Sequence, residues 1–105
     1  MDRYRVDISD PAERDLYDIV RYISAQLDAP VTVLNMMDEI EKAVDGLSNM
    51  PSKYQIVRDE RLAAMGYRQL IVKNYIIFYT IDDKNKTVDV IRILYARREW
   101  HRILW

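Results

Sequence analysis

The 105-residue chain contains no cysteine. That excludes a disulfide scaffold, a cysteine-ligated metal site and a thiol nucleophile, and it fits a reducing cytoplasm. Histidine occurs once, at His101, so the chain offers no structural zinc set. No P-loop, GxGxxG or HExxH is present, and no metal or cofactor is expected. No apolar run approaches the roughly 18 residues of a membrane helix. The start, MDRYRVD, is charged from its first residues, unlike a signal peptide. The expectation is a cytoplasmic protein with no membrane partner.

What is present suits one globular domain over residues 1–105: 50% hydrophobic and 31% charged residues. The net charge of −1 is unevenly spread. Residues 1–65 carry 8 basic and 13 acidic side chains, net −5, and residues 66–105 carry 8 and 4, net +4. An anionic or acidic partner should therefore meet the second half, unless the charges merely solvate two surfaces.

Periodicity supplies the elements. In YRVDIS, Tyr4, Val6 and Ile8 alternate with Arg5 and Asp7, as in a half-buried strand. Asp10-Pro11-Ala12-Glu13 reads as a helix start, with Asp10 as N-cap and Glu13 closing a capping box. Leu16, Ile19, Val20, Ile23 and Leu27 form the apolar stripe of that helix. Pro30 breaks it. A second helix, from about Val31 to Ser48, carries the seam Val33, Met37, Ile40, Val44 and Leu47. Residues 51–66 keep no period; an extended piece at Tyr54–Val57 or a helical turn at Glu60–Met65 fits them. Three strands follow: Tyr67–Val72, Tyr75–Asp82 and Thr87–Tyr95. The middle one is apolar on both faces and should be central. In the last, Ile91, Ile93 and Tyr95 should face the helices, with Val88, Val90, Arg92 and Leu94 opposite. The order β-α-α-β-β-β predicts an α+β domain, with a helical hairpin packed on a twisted antiparallel sheet.

Chemistry concentrates in the second half. The carboxylate pairs Asp38–Glu39 and Asp59–Glu60 read as helix-face and loop charges. Arg68, Arg92, Arg97, Arg98, Trp100, His101 and Arg102 form a basic, aromatic set. Arginine's planar fork suits phosphate, carboxylate or guanine edges. In RNA cleavage these cations would stabilise phosphorane charge, and His101 or a tyrosine would move protons. In a docking surface, Trp100 and the arginines would be anchors. A third reading makes Arg98 to Trp105 a helical turn, with Trp100, Ile103 and Leu104 on the core and the arginines solvated. Trp100 and Trp105 leave open a homodimer interface or a cap on the core.

Three stretches carry a family resemblance. One is YRVxIS followed by AxxDLxxI at Ala12–Ile19 and Tyr22-Ile23. The second is LxxxP at Leu47–Pro51. The third combines GYR at 66–68, NYIIFY at 74–79 and VDVIRILYARR at 88–98. Together they resemble the RelE/ParE superfamily of toxins from bacterial type II toxin–antitoxin pairs, over nearly the whole chain.

The resemblance implies a toxin held inactive by a small antitoxin that wraps it. RelE-like members cut mRNA in the ribosome with basic residues on the sheet; ParE-like members inhibit DNA gyrase and lack that set. The nuclease pattern wants two basic residues alternating on the first strand of the three-strand run, and here Arg68 is followed by Leu70. It wants an arginine soon after the tyrosine of the middle strand, and here Ile76 follows Tyr75. Arg97 matches the arginine beyond the last strand. His101 is the best match for the proton-moving group, but at a shorter spacing, and Ile103 stands where a tyrosine is expected.

Ribosome-directed enzymes approach RNA with strong positive charge, whereas this chain has a pI near 5.8. The resemblance therefore points to the ParE branch, with DNA gyrase as target and no catalytic residue. The alternatives are a ribosome-dependent mRNA endonuclease using Arg68, Arg97 and His101, and a non-toxic interaction module. The expected target- or antitoxin-binding residues are Arg68, Arg92, Arg97, Arg98, Trp100 and Arg102. An acidic, amphipathic antitoxin tail is expected against the sheet edge or the helices.

Overall fold

The computed structural model describes residues 3–27, 30–97 and 103–104. In chain order the elements are β1 (Arg5–Ile8), α1 (Asp10–Leu27), α2 (Pro30–Gly46), a 3-10 turn (Pro51–Lys53), α3 (Glu60–Ala64), β2 (Arg68–Val72), β3 (Tyr75–Asp82) and β4 (Thr87–Tyr95). Among the described residues the strands form one sheet in the order β1-β4-β3-β2.

The sheet is mixed, which corrects the all-antiparallel expectation. β2, β3 and β4 form an antiparallel meander, but β1 lies parallel to β4, with Arg5 opposite Thr87 and Ile8 opposite Val90. A parallel neighbour needs a long crossover, and everything between Ser9 and Lys86 supplies it. Alternation within β1 cannot reveal the direction of its partner.

Both sheet faces are covered, which explains the unbroken apolar run of β3. Tyr75, Ile77 and Tyr79 pack with Ile19 and Ile23 of α1 and Val33, Ile40 and Val44 of α2. Ile76 and Phe78 pack on the other face with Val57, Leu62, Tyr67 and Leu94. Leu104 and Ile103 join this second cluster, so the chain-end packing expected there holds at these two positions. Fully burying one such side chain contributes about 1.5–3 kcal/mol.

The turn from β1 into α1 is made by Ser9, one residue earlier than the cap expected at Asp10. The Ser9 hydroxyl accepts from the Ala12 N–H at 3.1 Å and donates to the Ile91 carbonyl at 2.7 Å. Its backbone N–H donates to the Val90 carbonyl at 3.0 Å. One residue thus caps a helix and ends a strand pairing.

Within β4 a bulge changes the facing of side chains. Phe78 lies opposite Arg92 and Tyr79 opposite Val90, which leaves Ile91 as the extra residue. Before the bulge, Val88 and Val90 pack under the helices; after it, Ile93 does. Ile91 joins the opposite cluster. The strict alternation expected for this strand therefore fails at Val88, Val90 and Ile91 and holds at Ile93 and Leu94. The segment 51–66 contains both suggested features: α3, capped by Asp59, and an extended contact in which Ile56 bridges Arg68.

Candidate functional site

Among the described residues, Arg68 and Arg92 are each engaged within the fold and do not converge on one centre. Arg68, on β2, donates to two loop carbonyls, Ser52 at 3.1 Å and Tyr54 at 2.7 Å. It fastens the segment leading to α3. Arg92, on β4, turns to α1: its Nε and one terminal nitrogen each lie 2.7 Å from the two carboxylate oxygens of Asp15. Hydrogen bonding to Asp15 holds the guanidinium above its ordinary pKa, against partial desolvation that lowers it. Arg97 is exposed in the turn after β4 and makes no ion pair among the described residues. Arg98, Trp100, His101 and Arg102 lie outside the described residues.

The positions where a nuclease would need further cations are core. Leu70 is buried against the helices, and Ile76 is buried on the opposite face. A cation at either place would lose hydration among the apolar side chains packed there. Among the described residues no group of three histidine, aspartate or glutamate side chains gathers as a metal site.

A groove lies instead between α1 and the far end of β4. It arises from unequal strand lengths: β1 has four residues and β4 has nine. Beyond Ile8, β4 loses its parallel neighbour, and α1 passes along the uncovered end. Asp15, only 7% exposed, accepts the Ile93 N–H at 3.0 Å, so the helix satisfies one backbone donor that β1 leaves open. The space that remains, about 440 Å³, is lined by Asp18, Ile19 and Tyr22 of α1, Tyr75 of β3, and Ile93 and Tyr95 of β4.

Tyr75 and Tyr95 meet edge to face, with ring centres 5.7 Å apart. Burial raises the Tyr75 pKa first, then the neighbouring Tyr95 and Tyr22, so Tyr75 stays a neutral phenol. Tyr22 is 64% and Tyr95 37% exposed. Asp18 is exposed and has no ion pair among the described residues. The groove thus combines aromatic walls, an apolar floor and one available carboxylate.

Local periodicity does not reveal this groove. Its signal is the spacing Asp15–Asp18–Tyr22, which sets three side chains along one helix stripe beside Ile19. In sequence Asp15 looks like any solvated helix carboxylate, because its partner, Arg92, is remote along the chain.

Comparison with known proteins agrees with the architecture. A family model described as the ParE toxin of the type II toxin–antitoxin system parDE matches residues 6–100. A solved structure of the chromosomal ParDE toxin–antitoxin system of P. aeruginosa is similar in fold, with a TM-score of 0.75 at 15% identity over 92% of this chain and 100% of that one. The RelBE2 toxin–antitoxin complex of Mycobacterium tuberculosis gives a TM-score of 0.63 at 28% identity, over 91% and 95% of the two chains. No curated protein matches.

Proposed function

Since this chain belongs to the family of ParE toxins of type II toxin–antitoxin systems, we propose that it acts by binding DNA gyrase, breaks no bond itself, and is neutralised by a cognate antitoxin. The observation that carries the choice of target is the fate of the nuclease positions. Leu70 and Ile76 are core residues, and Arg68 is committed to the carbonyls of Ser52 and Tyr54. A ribosome-dependent nuclease would have to work from Arg97 and His101 with little else. The pI of 5.8 supports the same choice.

The target surface in this reading is the basic segment after β4, Arg97, Arg98, Trp100 and Arg102. Of these, Arg97 is seen exposed. Arg92 serves the fold through Asp15 and is not assigned to a partner. The antitoxin in this reading covers α1 and the open end of β4.

Induced expression tests the proposal. Growth should stop while translation continues, and the product of a short adjacent reading frame should relieve the arrest. New mRNA 5′ ends at the ribosomal A site would instead support the endonuclease. Normal growth without any antitoxin would support a non-toxic module.

A further inference from the structure

Building on the reading of this chain as an antitoxin-neutralised toxin, we infer that the groove between α1 and the end of β4 seats one lysine or arginine side chain of the antitoxin, between the rings of Tyr22 and Tyr95 and against the carboxylate of Asp18.

The inference starts from charge. Among the described residues two carboxylates line the groove, Asp15 and Asp18. Asp15 is used up by Arg92 and the Ile93 N–H. Asp18 is not: Arg14, one helical turn before it, makes no ion pair with it, and neither does any other described residue. Arg92, next in sequence to Ile93 of the floor, is already neutralised by a two-pronged pair with Asp15. An anion entering here would meet an available carboxylate and the negative faces of tyrosine rings. A cation would meet favourable partners on each side.

The rest of the molecule shows what such rings attract. Arg21 lies over the Tyr17 ring at 5.7 Å, Lys53 over Tyr54 at 5.1 Å and Lys86 over Tyr4 at 5.1 Å. Tyr22 and Tyr95 are also accessible, yet among the described residues no cation covers either ring. The groove floor, Ile19 and Ile93, is apolar and would hold the methylene stem of a long cationic side chain. Shape, charge and ring faces together select a long cation over a carboxylate or a short apolar group. This reverses the sign expected of the antitoxin from the +4 second half: locally, the partner must bring positive charge.

The test uses isotope-labelled full-length protein and a capped tripeptide, valyl-arginyl-valine, beside the same peptide with neutral citrulline. Titration should move the backbone amide resonances of Asp18, Tyr22 and Tyr95 with the arginine peptide, and citrulline should bind about three- to tenfold more weakly. Asp18→Asn and Tyr22→Leu, both at exposed positions, should each weaken the arginine peptide by a similar factor while leaving the spectrum folded. Equal binding of the two peptides, shifts confined to other surfaces, or unchanged affinity in both variants would overturn the assignment. Growth arrest is scored separately. Arrest without arginine-selective binding removes the cation seat and leaves the toxin reading standing. Arginine-selective binding without arrest supports the seat and removes the toxin reading.

Discussion

Asp15 on α1 and Arg92 on β4, 77 positions apart in the chain, form a two-pronged ion pair with both contacts at 2.7 Å. The same carboxylate accepts the Ile93 N–H. One side chain thus fixes how the first helix lies on the last strand, and thereby shapes the groove beside it. Replacing Asp15 by Asn should leave Arg92 without its counter-charge and cost about 3 kcal/mol. Urea unfolding measures this. The double variant Asp15→Leu with Arg92→Met should lose less than the two single variants added together, because neither charge is stranded. Simple additivity would mean that the pair contributes no coupling.

Tyr79 gives a pH signature. It is fully buried, and its hydroxyl donates to the Pro51 carbonyl at 2.6 Å. Burial pushes its pKa up to about 12, with Arg68 opposing and Tyr54 adding to the shift. The folded state therefore keeps a proton that the unfolded chain loses near pH 10. Its contribution is complete below pH 10 and is lost as pH rises towards 12, by about 2–3 kcal/mol. Comparing unfolding of the wild type and Tyr79→Phe across pH 9–12 isolates it. The variant should start about 1–2 kcal/mol less stable, with the Pro51 carbonyl left unpaired, and its curve should fall less steeply.

Arg97 separates folding from binding. It is exposed and unpaired among the described residues, so Arg97→Glu should leave the unfolding midpoint unchanged. If the basic segment meets gyrase, the same change should weaken inhibition about tenfold. Unchanged inhibition would place the target surface elsewhere.

Much of the fold was legible. The limits of β3 and β4 follow from their apolar runs and flanking turns. Of the expected seam Val33, Met37, Ile40, Val44 and Leu47, every member but Met37 is in the observed core; Met36 packs there instead, and Leu47 lies just beyond α2. What stayed hidden depends on pairing between distant segments. The parallel direction of β1, the bulge that turns Ile91 away from the helices, and the burial of Asp15 each require knowledge of a neighbour that local periodicity does not contain. The site was less legible for the same reason. Arg68 and Arg92 looked available because their partners, the Ser52 and Tyr54 carbonyls and Asp15, are ordinary residues met only after folding.

The most direct measurement is DNA supercoiling by purified gyrase with this protein added, free of antitoxin. Micromolar protein should block supercoiling or trap cleaved DNA, and leave naked and ribosome-bound mRNA intact. Unimpaired supercoiling, with folded protein that still arrests growth and cuts mRNA at the ribosome, would contradict the account.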